Sequence, residues 1–533
     1  QIELQENLIK IGNNAFYEGG LKSVTIPGTV SNIGNAAFMG SKIAKVEFVE
    51  GDKFTRKIID SAAFKNCIYL TEIILCENTV SLGRQVFEGC EKLRKLQIPE
   101  SVTSLGYHMI AGTKISSIMI PKNVTDTTCE EALTGATFLK EIIFEEGIEK
   151  IPSKIAYNVA SLEQVNIPES AVEIKSYAFY GTTNLAKIDL PSSLEKIQDF
   201  AFQSSGLESI VIPKNTSLVG RSAFSENKQL QLVEFEQSDD YIQTSIKDYA
   251  FYNCGRLKKI VMSENVAEIG LDFISGTIIE SITIPKGIKN SKYEWVNYSS
   301  NMKDSALKGA KYLTEIIFEY GMKTIPAGIA ANVEYLKHVS IPETVTTIGF
   351  GAFWNTPRLQ NIELPDELLT IGSYAFYSSG LTSVIIPSTV TNVYGYAFSG
   401  SKITKVVFEE GNEKTKTEIG YWVFGSCSNL KDLILSDNVV TIEGGLIYGT
   451  QVETLTIPKS IKTCAGGFGP LSQGYALKEL IFEEGLEEIP AALAYGASSL
   501  ERVIIPQTVT RIASDAFHTD NKFVIYGIMQ YEL

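Results

Sequence analysis

Apolar residues fall along this chain in three columns that never break. A pattern of the form L-x-x-I-x-I recurs 21 times, from Leu21, Ile43 and Leu70 through to Val452, Leu477 and Leu500, mostly 22 or 23 residues apart. Every leading position is aliphatic, as is every residue three further on, from Val24 to Val503. Every residue five further on is apolar, from Ile26 to Ile505. Only 44% of the chain is hydrophobic, so the columns are not chance. A fixed period of this length predicts a solenoid.

Within the segment Leu21–Phe38, Val24 and Ile26 alternate with Ser23 and Thr25, the period of a half-buried strand. Pro27 follows at once and ends the strand, because proline has no N–H for a ladder. Of the 17 prolines, 12 hold this one place in the repeat. Val30 and Ile33 return to the core on a second extended segment, and Phe38 closes the rung. Gly34 is expected to supply a bend with positive φ. A rung this short leaves no room for two strands and a full helix. The expected fold is mainly β: a right-handed, curved solenoid of about 21 stacked repeats with parallel sheets and little helix. Stacked at strand spacing, the rungs would extend about 100 Å. One body over residues 1–533 is expected, with 1–20 a partial repeat, 21–517 the repeats and 518–533 a C-terminal cap. Phe48, Phe144, Phe235, Phe318, Phe408 and Phe482 are expected in the buried column.

The motif L-x-x-[IV]-x-[IL]-P-x-x-V-x-x-I-G-x-x-A-F-x-x-[CS], clear at Leu21–Phe38, Ile341–Phe353 and Leu381–Phe398, resembles the BspA-like leucine-rich repeat of bacterial surface proteins. Phe523–Gly527 is similar to the I-Y-G segment with which such proteins often close; Ile528–Leu533 departs from it. The resemblance implies a secreted or cell-surface, adhesion-type role. It transfers no catalytic residues. The chain opens inside a partial repeat, so it is expected to be a piece of a longer protein, and no signal peptide is visible.

The net charge of −15 and pI near 5.0 disfavour phosphate backbones and anionic membranes. No apolar run nears the roughly 18 residues of a membrane span. Seven cysteines leave at least one without an intrachain partner. Cys67, Cys90, Cys254 and Cys427 share one repeat position and are expected as packed thiols. No C-x-x-C, phosphate loop, dinucleotide fingerprint or G-x-S-x-G occurs. His108, His338 and His518 are far apart. Paired acids at Glu145–Glu146, Glu409–Glu410 and Glu483–Glu484 read as solvated turn charge. No metal, cofactor or catalytic site is expected, and the protein is not expected to be an enzyme.

Two features carry binding potential. Four residues past each leading position the side chain should face outward, and 11 of these 21 are apolar. Towards the C-terminus that column holds Ile385, Val407, Ile434, Thr456, Ile481 and Ile504. β-Propensity explains such residues, and so does an interaction strip. The 34-residue repeat from Ile279 to Leu313 carries Tyr293, Trp295 and Tyr298, residue types common at binding hot spots. Tyr177, Tyr180, Tyr249, Tyr252, Tyr374, Tyr377 and Tyr396 flank the A-F signal. They read as consensus residues half-buried between rungs, or as platforms for sugar rings or a protein partner. The expected function is an extracellular or cell-surface scaffold that recognises a protein ligand. The alternative is a carbohydrate-binding or wall-associated structural module, which would show aromatic platforms in a row.

Overall fold

The computed structural model describes residues 2–52, 55–125, 129, 131–237, 242–291, 305–411, 415–465, 469–518 and 522–527. The chain divides into two units, Gln1–Asn265 and Val266–Leu533. Each is built of the same rung stacked through parallel β-strands, about 21 turns in all along the chain.

In the first unit, Ser23–Ile26 pairs in parallel with Lys45–Phe48, which pairs with Glu72–Ile74. The period-two pattern decides the faces: Val24 aligns with Val46 and Ile73, all buried. The later half of each rung feeds a second sheet, here Lys10–Ile11, Asn32–Ile33, Lys57–Ile59, Thr79–Leu82 and Ser104–Leu105. Pro27 stands between the two strands of its rung. The second unit repeats the arrangement. Ser383–Ile386, Lys405–Phe408 and Asp432–Ile434 form one sheet, and seven short strands from Thr324–Ile325 to Thr463–Ala465 form another. Val524–Gly527, which contains the I-Y-G sequence, pairs in parallel with Arg502–Ile505.

No described residue is helical. The reason lies in how the closing turns use their amides. Ala37, Met39 and Ser41 donate to carbonyls three residues back, Gly34, Ala36 and Phe38, at 3.1 Å each. The intervening amides of Ala36, Phe38 and Gly40 donate to Ser61, Ala63 and Lys65 of the next rung at 2.8–3.0 Å. Alternate amides thus serve the turn and the stack, and a helix would forfeit the second set.

This geometry corrects the expectation for Gly34, which does not have positive φ. A Cβ there would lie 2.8 Å from the Asn13 nitrogen and from the Gly12 carbonyl carbon. Glycine is required by close backbone approach between rungs. The left-handed residues come two and six places later: Ala36 at 52° and Gly40 at 68°, Tyr374 at 59° and Ser378 at 52°. Most of the first set are not glycine. A non-glycine residue there costs about 1–2 kcal/mol, which the amide bonds and stacked side chains offset.

Phe38 and its counterparts form the centre of the core. Phe38 stacks on Phe16 and Phe64 with centroids 4.9 and 5.2 Å away. Phe353, Phe376 and Phe398 repeat the stack in the second unit. Phe144, Phe235, Phe318, Phe408 and Phe482 are buried as expected. Phe48 is not: it is half-buried, with the Lys57 ammonium 5.6 Å from its ring centre. Lys57 itself is fully buried and donates to the Pro27 carbonyl at 3.3 Å. All seven cysteines are free thiols. Cys254 and Cys427 donate to the Phe224 and Phe398 carbonyls at 3.2 Å, and burial pushes them up to about 12 and about 11.

Candidate functional site

The strand pleat sets an outward column on each rung, and register joins the columns. Ile385 lies beside Val407, which lies beside Ile434. Ile385 is 57% exposed and Ile434 47%, while Val407 is half-buried. In the following sheet Thr456, Ile481 and Ile504 align and continue to Tyr526, 48% exposed. The structure therefore brings the expected residues into two ladders. Sequence reasoning missed Tyr526, whose period-two parity within Val524–Gly527 was the available signal. Tyr293, Trp295 and Tyr298 lie outside the described residues.

The tyrosines beside the A-F signal are mostly half-buried and stack between rungs. Tyr177 lies 4.8 Å from Phe200. In the second unit Trp354, Tyr374, Tyr396, Trp422 and Tyr448 make a continuous row, with successive centroids 5.0, 4.9, 6.1 and 4.1 Å apart. Tyr374, Tyr396 and Trp422 hold left-handed positions. Each ring pair contributes about 0.5–1.5 kcal/mol beyond its burial, enough to offset much of that backbone cost.

Beside this row runs a groove of about 330 Å³. Its lining includes Tyr394 and Tyr421, each 49% exposed, with Gly395 and Gly420 between them in the chain pattern. A Cβ on Gly420 would lie 2.8 Å from the Gly395 nitrogen, so the backbones of the two rungs touch. Asn392, Glu418 and Thr441 align across three paired strands and also line it. Glu443 completes the polar set. Burial pushes its carboxyl up, a Tyr421 backbone N–H opposes this, and the Glu418 charge adds to the rise. No lining residue is Lys or Arg. A second depression, about 600 Å³, has the opposite character, with Lys337, His338, Arg358 and Lys402 among its lining.

One acid of each pair ties neighbouring rungs together, and the other, Glu146, Glu409 or Glu484, is exposed. Glu145, Glu410 and Glu483 accept the backbone N–H of Lys122, Asp437 and Lys459 on neighbouring rungs at 3.0–3.3 Å. Among the described residues no three His, Cys, Asp or Glu side chains gather as metal ligands. No helix among them is long and apolar enough to cross a membrane.

Parallel ladders, a strand-ending proline and a turn-stacked core together define a leucine-rich-repeat solenoid. The BspA type leucine-rich repeat region matches in six copies, over residues 1–56, 57–181, 150–245, 172–303, 300–417 and 412–523. The chain belongs to that family, whose repeats build binding scaffolds. Among solved structures it is similar to a leucine-rich repeat protein from Bacteroides ovatus: 16% identity, 95% of this chain and 92% of that one covered, TM-score 0.28. One from Eubacterium ventriosum shows 18% identity, coverage of 72% and 84%, and TM-score 0.28. A leucine rich cell surface protein from Faecalibacterium prausnitzii shows 17% identity, coverage of 89% and 83%, and TM-score 0.22. No curated protein matches the chain.

Proposed function

We propose that the protein is a non-catalytic recognition scaffold, displayed at a bacterial cell surface or secreted, that binds an extracellular protein through the outward face of its strands. One observation carries the reading: Ile385, Val407 and Ile434 stand in register on the outward face, with Ile385 and Ile434 about half exposed. Apolar side chains aligned this way offer a dry, rigid surface whose ordering cost is already met by the fold. Family membership agrees with a binding scaffold. The acidic charge argues against a nucleic-acid partner.

The test is a pull-down from matrix and host-cell extracts, comparing the parent with a variant carrying Ile434→Lys and Ile481→Lys. The parent should retain a protein that the variant loses, while circular dichroism shows both folded. Equal capture by both would remove the strip as the binding surface. Protease shaving of intact cells should release the protein; a signal confined to lysed cells would refute the surface location.

A further inference from the structure

The groove at Tyr394 and Tyr421 is made by departures from the repeat. Tyr394 stands where the neighbouring rungs carry Gly372 and Gly420. Tyr421 stands where they carry Ser373, Gly395 and Gly444. Two tyrosines thus rise beside a floor of backbone, because Gly395 and Gly420 bring no side chains into it.

We propose that this groove binds a neutral glycan, with a pyranose ring stacked on Tyr394 and Tyr421. Aromatic faces suit the C–H face of a sugar, and a volume of about 330 Å³ is at the small end of ligand pockets. The polar lining points the same way. Glu418 and Glu443 accept hydrogen bonds only, while the Asn392 amide and the Thr441 hydroxyl both donate and accept. A sugar hydroxyl also does both, so the set matches a hydroxyl-dense ligand. A cationic side chain would engage the carboxylates alone, whereas the Asn392 amide, which gives one N–H to Thr391 Oγ1 at 2.9 Å, and the Thr441 hydroxyl, 3.0 Å from that of Thr463, keep capacity for a hydroxyl. Two carboxylates without a lining Lys or Arg repel sulfated, uronic or sialylated glycans. This inference stands apart from the protein-binding strip.

The test is an array of neutral, sulfated and sialylated glycans, followed by calorimetry on the captured sugar and on a decalysine peptide. Tyr394→Gly and Tyr421→Ser restore residues that adjacent rungs already hold, so both variants should keep the parent's circular dichroism and melting temperature. The parent should bind neutral glycans, with Kd below about 1 mM, and each variant should weaken binding about ten-fold. Binding of no glycan, of charged glycans only, or of decalysine in place of sugar would overturn the proposal. So would unchanged affinity in both folded variants.

Discussion

Removing the ring of Phe376 should open the second unit locally and leave the first untouched. Phe376 is fully buried between Phe353, 5.3 Å away at 11°, and Phe398, 5.1 Å away at 9°. Phe→Ala in a core costs about 3–5 kcal/mol. Two stacked pairs, each about 0.5–1.5 kcal/mol, put this site in the upper half of that range. Because each rung leans only on its neighbours, the loss falls on local opening. At about 1.4 kcal/mol per decade, a cost of about 4 kcal/mol raises the open population roughly a thousand-fold. Hydrogen exchange read by mass spectrometry can see this. The reporters are the amides of Phe376, Ser378 and Phe398, which donate to Ala397, Ser399 and Val423 at 2.7, 2.9 and 3.0 Å. Their exchange should quicken by that factor, while amides around Phe38 keep the parent rate. Phe376→Leu, which keeps an apolar side chain but loses the stack, should cost roughly 1–2 kcal/mol. Equal acceleration in both units, or less than ten-fold at the reporters, would refute the idea that the ring stack carries local stability.

Gly89→Ala should destabilise by about 1–2 kcal/mol in urea melts, since φ is +72° and the new Cβ would also displace the Asn66 side-chain amide; a neutral result would mean that the turn relaxes freely. Lys57→Met should stabilise by about 1 kcal/mol at pH 7, because it removes a buried ammonium and keeps the stem. Burial lowers the Lys57 ammonium in the folded state, with Cys76 and Glu50 opposing. The folded state therefore holds its proton less tightly than the unfolded chain does, and the parent loses stability as pH falls through the lowered value. The advantage of Lys57→Met should thus be greatest below the lowered value and shrink as pH rises towards the ordinary lysine value of about 10.4. A variant less stable than the parent at pH 7 would show that the Pro27 and Phe48 contacts outweigh desolvation.

The period itself dictated much of this protein. The period places two strand segments on each rung, a strand-ending proline like Pro27 on 12 of the 21 and an apolar closing residue such as Phe38, and strand parity alone put Ile385, Val407 and Ile434 outward. Those features repeat, so they can be read from one rung and checked on the others. The tertiary structure decided what depends on the contact between rungs. Ala36, Tyr177 and Trp422 hold left-handed turns that no local preference for glycine announces, because amide bonds to the next rung supply the compensation. Gly34 serves backbone contact across rungs, which its own turn cannot reveal. The groove follows the same logic. Tyr394, Tyr421 and Glu443 are separate deviations from the repeat, Glu418 fills a position the repeat leaves open, and each is unremarked in its own rung. Parallel strand pairing makes Asn392, Glu418 and Thr441 neighbours and so gathers those deviations into one surface. A repeat specifies which face a residue takes; stacking specifies which residues of different repeats meet on it.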